Sequence, residues 1–194
     1  RSRRQRQMCI RDRYMVERKV FFEGSFGKIF GVLHLVENSK EIVIVVHGFS
    51  STKDTGAIQI SQELNKVGLS AIRIDLDNQG ESELDFKEGV SIPNYVTQVE
   101  ATIKYCKDLG FNEISLVGGF ELGDDLSMIT KNCSNTKLFF SKDDDCVPIS
   151  HLEKYKQKLQ DAEYFVYEDK GHFAVEEFPE LIKIIKEDLV KLNF

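Results

Sequence analysis

The sequence predicts an α/β fold, a mostly parallel and doubly wound sheet preceded by an antiparallel hairpin. Three observations predict it. Glu41–Val46 reads EIVIVV, an unbroken β-branched run of the kind found in strands buried on both faces. Ala71–Leu76 (AIRIDL) and Glu113–Val117 (EISLV) are further apolar runs ending in loop-forming residues. Between these runs lie segments of helical apolar spacing, so strands and helices alternate.

In chain order, Val20–Phe22 and Lys28–Leu35 alternate around Gly24 and Gly27 and predict the hairpin. Gly56–Val67 is an amphipathic helix closed by Gly68. After the strand Ala71–Leu76 comes a polar loop, Asp77–Gly89. Ile92–Leu109 is a helix with Val96, Val99, Ile103 and Cys106 on one face, Cys106 being a core filler. Glu113–Val117 is a strand and Leu126–Lys131 a short helix. Leu138–Phe140 is a strand, Ile149–Leu159 a helix, Ala162–Tyr167 a last strand and Phe178–Leu192 a terminal helix.

The 194 residues are 41% hydrophobic and 30% charged, an ordinary balance for one globular domain, expected over residues 15–194. Residues 1–14 hold six arginines and one aspartate. Gln7–Asp12 resembles a translated sequencing adapter, so this stretch is expected to be a non-native basic scar, with Met15 the natural start. The net charge of −6 and a pI near 5.3 argue against a nucleic-acid partner. The longest apolar runs are far too short for a membrane span, and no membrane partner is expected. Cys9, Cys106, Cys133 and Cys146 form neither a disulfide framework nor a metal-binding spacing and suit a reducing, cytoplasmic setting. No cofactor and no metal ligand is assigned, and the sequence does not give the oligomeric state.

In open α/β sheets ligands bind beyond the carboxyl ends of the strands. EIVIVV runs into His47-Gly48-Phe49-Ser50, and AIRIDL into Asp77-Asn78-Gln79-Gly80-Glu81-Ser82. The late strands run into Ser141-Lys142-Asp143-Asp144-Asp145 and Lys170-Gly171-His172-Phe173. A carboxylate and a histidine at successive strand ends are two thirds of a charge relay, in which histidine moves the proton and aspartate fixes its tautomer. His47 is expected to orient its loop by a hydrogen bond. Asp75, Asp77 and Glu81 are expected to cap and solvate a turn. His34 and His151 are expected to be incidental.

These motifs resemble the α/β-hydrolases over most of residues 15–194. VVHGFSSTKDT with IRIDLDNQGESE is similar to bacterial serine esterases of the cinnamoyl-esterase and serine-aminopeptidase-like type. NCSNTKLFFSKDDDCVP with GHF looks more like the small serine hydrolases related to retinoblastoma-binding serine hydrolase. The resemblance implies a serine carboxylesterase or acyl hydrolase acting on small esters or amides. Its triad acid would be Asp144, with Asp143 and Asp145 as neighbours that could serve instead. Its base would be His172, and the Phe49 N–H would form half of an oxyanion hole.

The nucleophile is the departure. The family's elbow reads G-x-S-x-G, whereas here Gly119-Phe120-Glu121-Leu122-Gly123 holds Glu121 where serine belongs. Three readings are open. Glu121 could be a carboxylate nucleophile, one methylene longer than the aspartate that does such chemistry. The chain could be a pseudoenzyme that binds a ligand or partner without turnover. Or a segment is absent, so that the sheet is truncated in the middle by one strand and the cap. Length favours the last, because only about 20 residues separate Val117 from Leu138, room for one short helix and no further strand.

Overall fold

The computed structural model describes residues 16–48, 51–76, 78, 80–85, 91–118, 135–173 and 178–192. Eight strands and four helices are formed there: β1 (Val16–Gly24), β2 (Gly27–Leu35), β3 (Glu41–Val46), α1 (Ala57–Lys66), β4 (Ser70–Ile74), β5 (Glu83–Leu84), α2 (Ile92–Asp108), β6 (Glu113–Gly118), β7 (Lys137–Ser141), α3 (His151–Lys158), β8 (Glu163–Tyr167) and α4 (Pro179–Leu192). The expected short helix Leu126–Lys131 falls outside the described residues. The chain divides into two compact units. One holds residues up to Gly118 together with those from Glu177 onward, and the other is Gly119–Glu176.

In the first unit the strands run in the order β1-β2-β4-β3-β6. The β1–β2 and β2–β4 pairs are antiparallel, and β4–β3 and β3–β6 are parallel. The expected α/β architecture is therefore present as a mixed sheet. Every residue of β3 from Ile42 to Val46 is buried, as the unbroken apolar run requires. Helix α1 packs on β3 and β4 with α4 beside it, and α2 packs on β1 and β3. From β3 the chain crosses to β4 on one side and later to β6 on the other. The carboxyl end of β3 is thus a switch point, the place where such sheets hold ligands.

Two expectations about this unit are corrected. The loop after β4 is not wholly irregular: β5 pairs with the start of β2, Gly27 opposite Leu84. The Asn78 carboxamide braces it, accepting from the Leu84 N–H at 2.7 Å and donating to the Leu84 carbonyl at 2.5 Å. On α2 the buried residues include Tyr95, Gln98, Thr102 and Cys106, whereas Val96, expected inside, is 39% exposed. Thr102 can turn inward because it satisfies its hydroxyl locally, donating to the Gln98 carbonyl at 2.8 Å, whereas both polar atoms of the buried Gln98 carboxamide lack a hydrogen-bond partner among the described residues. Cys106 is fully buried, and burial pushes its thiol up to about 12, so the core-filler reading stands.

Among the described residues the main sheet stops at β6, whose single partner is β3. Leu116 in the middle of β6 is 49% exposed. Strands β7 and β8 pair with each other, in parallel, in a separate two-stranded sheet. Among the described residues the fold is thus truncated, with no strand between β6 and β7.

In the second unit Phe140 on β7 packs with Leu152 and Tyr155 of α3 and with Leu159, flanked by Leu138, Val147, Ile149, Ala162 and Tyr164. Phe139 and Phe165 stack across the strand pair at 5.0 Å. The α3 crossover supplies the apolar cover that a two-stranded parallel sheet needs.

Candidate active site

In the second unit β7 ends at Ser141 and β8 at Tyr167, level with each other in the parallel register. The two loops that follow are tied together. The fully buried Ser141 hydroxyl accepts from the Lys170 N–H at 2.8 Å and donates to the Asp143 carboxylate at 2.5 Å. That carboxylate also accepts from the Gly171 N–H at 2.8 Å. Gly171 has φ +53°, a conformation glycine adopts without strain, and so turns the chain directly before His172. Phe173, at φ +53° without that freedom, is held by its N–H donating to the Lys170 carbonyl at 3.1 Å.

The result brings Asp144 and His172 together. His172 Nδ1 lies 3.1 Å from both Asp144 carboxylate oxygens. The Asp144 side chain is buried while that of His172 is 46% exposed, leaving the far ring nitrogen free to face solvent. Asp144 Oδ1 also accepts from the backbone N–H groups of Cys146 at 2.8 Å and Val147 at 2.9 Å. Partial burial alone would push the Asp144 carboxyl up. The hydrogen bonds from the Val147 N–H, His172 and the Cys146 N–H outweigh it and hold the carboxyl below its ordinary value. Asp143 is the clamp of the loop rather than a partner of the histidine. Asp145 is exposed, and its carboxylate lies beside the Cys146 thiol. Asp144, Cys146 and His172 together present three possible metal-ligand atoms within 4.8 Å of one another. The cysteine spacing alone could not signal this, because the other ligands come from a carboxylate and a distant loop.

At the switch point of the first unit, His47 Nδ1 donates to the Gly48 carbonyl at 2.7 Å. Its Nε2 accepts from the Leu76 N–H at 2.9 Å. The ring therefore joins the loops after β3 and β4 in one tautomer, the orienting role expected of it. Phe49 and Glu121 lie outside the described residues. A cavity lined by Val36, Asn38, Lys40 and Gly68 opens beside the amino-terminal start of β3, the wrong end for a ligand site in this sheet.

The loop expected to be a solvated turn proves to be a buried ionic one. Asp75 is 0% exposed, and its carboxylate accepts from the N–H groups of Lys53 and Glu81, each at 2.8 Å. It pairs with Lys53 Nζ at 3.0 Å. The same ammonium meets Glu81 at 2.8 Å and Asp54 at 3.0 Å and rests over the Phe30 ring. Although burial opposes its charge, these carboxylates hold the Lys53 ammonium above its ordinary value. The Ser82 hydroxyl donates to the Asp75 carbonyl and accepts from the Phe30 N–H, both at 2.8 Å. Any Cβ at residue 80 would fall on the Asp75 carboxylate. The D-x-x-x-x-G-E-S run of residues 75–82 is thus a structural cradle. Gly80→Ala should destabilise the first unit by about 1–3 kcal/mol through overpacking, read as a fall in the thermal midpoint. His34, expected to be incidental, is 4% exposed and accepts from Arg73 Nε at 3.0 Å. Arg73 also reaches Asp54 and, at 2.9 Å, Glu17.

No protein-family model matches the chain. Serine hydrolase RBBP9 of Rattus norvegicus is 33% identical over 82 residues, 42% of this chain and 44% of the relative, so the chain matches less than half of that protein's length. Among solved structures, the Pyrococcus furiosus esterase Pf2001 is similar at TM-score 0.73 and 14% identity, over 93% of this chain and 94% of that one. Est1E from Butyrivibrio proteoclasticus, solved with ferulic acid, is similar at TM-score 0.70 and 15% identity, over 89% and 98%. An α/β serine hydrolase homologue from Coxiella burnetii gives TM-score 0.70 and 15% identity, over 91% and 99%. The fold is that of the α/β-hydrolases. No described helix is long and apolar enough to cross a membrane.

Proposed function

We propose that this chain is built on the frame of a serine carboxylesterase for small esters or amides and that, as written, it does not turn over. The observation that carries the first half is the pairing of His172 Nδ1 with both oxygens of Asp144 at 3.1 Å, at the ends of adjacent parallel strands. That is the base-and-orienter half of a charge relay, with the aspartate ionised and buried and the imidazole presented outward. The second half rests on the sequence, which contains no G-x-S-x-G anywhere. A break in strand pairing between β6 and β7, among the described residues, supports a lost segment as the reason. Without a nucleophile, His172 has no hydroxyl to activate, and removal of a triad member leaves only residual rate.

A fluorophosphonate probe and a nitrophenyl ester test this on the folded chain. No residue should be labelled, and hydrolysis should be unchanged in His172→Ala. Labelling, or turnover that depends on His172, overturns the inactive reading. Hydrolysis lost in Glu121→Gln would instead assign Glu121 as the nucleophile. A chain in which Gly119 is replaced by an elbow-and-strand segment carrying G-x-S-x-G should become labelled and gain at least ~10³-fold in rate. If it folds and stays unlabelled, the esterase ancestry of the Asp144–His172 pair is wrong.

A further inference from the structure

We propose that Asp144, Cys146 and His172 form a site for a borderline-soft divalent cation, Zn²⁺ by preference, with one coordination position open. The inference goes beyond the hydrolase reading and does not depend on it. Three ligand types converge from two loops 28 residues apart in sequence, and their donor atoms already lie within 4.8 Å of one another. Tetrahedral bonds of about 2.0–2.3 Å to N, O and S place the donors about 3.4–3.6 Å apart. The His172–Asp144 separation of 3.1 Å is already close to that. Only the Cys146 sulfur has to swing inward, and Cys146 is an exposed side chain that gives up a 3.6 Å contact with the Asp145 carboxylate to do so.

The supporting shell is in place without the ion. Asp144 Oδ1 is held by the Cys146 and Val147 N–H groups, which leaves Oδ2 for a metal. Asp143, through the Gly171 N–H, fixes the turn that presents His172. Such outer contacts set ligand orientation and affinity. A mixed N, O, S set favours Zn²⁺ or Co²⁺ over Mg²⁺ and Ca²⁺, which take oxygen. Three protein ligands leave a fourth position for water or an exogenous ligand.

The site and the charge relay compete for one atom. A cation on His172 Nδ1 takes the place of the Asp144–His172 hydrogen bond, so the relay and the metal are alternative uses of the same imidazole. A chain with a working serine would lose by binding zinc, whereas one without a serine has no such cost.

Cobalt titration of the reduced, full-length chain tests the proposal. One equivalent of Co²⁺ should give the visible bands of a tetrahedral site with a thiolate-to-metal charge-transfer band, and Zn²⁺ should displace it. Cys146→Ser, an exposed substitution, should remove the charge-transfer band and weaken binding at least ~100-fold; His172→Gln should do the same. Circular dichroism of each variant checks that the fold is kept. Failure to bind Co²⁺, a thiolate band that survives Cys146→Ser, or equal displacement by Mg²⁺, the behaviour of an exposed acidic loop alone, overturns the site. Fluorophosphonate labelling of the same sample reads the hydrolase question separately, so the two ideas fail by different signals.

Discussion

Asp75→Ala should destabilise the first unit by about 3–5 kcal/mol, the cost of removing one member of a buried ion pair. The reason is how many groups depend on that carboxylate. Lys53 is 2% exposed, and its ammonium, its N–H and the Glu81 N–H all terminate on Asp75. Deleting the acid strands two backbone donors and leaves the ammonium with Asp54 and Glu81, both at the surface. Denaturant-dependent hydrogen exchange at the β3 and β4 amides measures the effect where it acts. Asp75→Asn keeps the shape and one acceptor and should cost about 1–3 kcal/mol. Replacing Lys53 and Asp75 together by Met and Leu should recover only the part due to the unpaired ammonium, since the Lys53 and Glu81 N–H groups still lose their acceptor. Equal protection in wild type and Asp75→Ala would mean that Lys53 finds its way to water.

Acid should weaken this unit well above the range where carboxylates titrate. Burial lowers the His34 pKa first, and the Arg73 guanidinium beside it lowers it further, against a smaller opposing pull from Glu17. Arg73 Nε donates to His34 Nε2, a bond only an unprotonated nitrogen can accept. The unfolded chain takes up this proton near pH ~6.5, and the folded chain only below that. Stability from this group is therefore complete above pH ~6.5 and is lost as the pH falls through the folded value. The charged groups facing the imidazole network are Arg73, Glu17, Asp54 and Lys53. Unfolding midpoints taken between pH 7 and 5 should decline in the wild type and be flatter in His34→Leu. Asp144, which lies in the second unit, also has a depressed pKa, so its contribution to that unit is present above the ordinary carboxylate value of ~3.9 and is lost only below it. An identical slope in His34→Leu would remove His34 as the cause.

Much of this was legible in the chain before any coordinate. EIVIVV announced a strand covered on both faces, because a solvent-facing strand would not carry five apolar residues in succession. Asp144 and His172 could be picked out because the sheet rule places ligand chemistry at strand ends, and both follow a strand directly. What stayed hidden depends on pairing across long sequence separations. Lys53 and Asp75 look like ordinary surface charges until the β3 and β4 loops close on each other. The partner of His34, Arg73, lies 39 residues on in sequence and reaches it only because β4 pairs with β2. Thr102 faces inward because its hydroxyl is satisfied on the Gln98 carbonyl, a local bond that hydrophobic spacing does not encode. The two residues of β5 are too few to leave a period. His172 joins Asp144 and Cys146 only through the turn at Gly171, 28 residues on in sequence from Asp144.

The second unit, Gly119–Glu176, interrupts the first in sequence, and this has a consequence for synthesis. Helix α4, which packs beside α1, leaves the ribosome only after the whole interruption has been made. At roughly 5–20 residues per second, the sheet from β1 to β6 waits about 3–12 seconds for its last helix. During that interval helix α1 lacks its α4 neighbour, and β6 has β3 as its one described partner strand. The yield of folded chain should therefore depend on elongation speed and on holding chaperones more than its final stability would suggest.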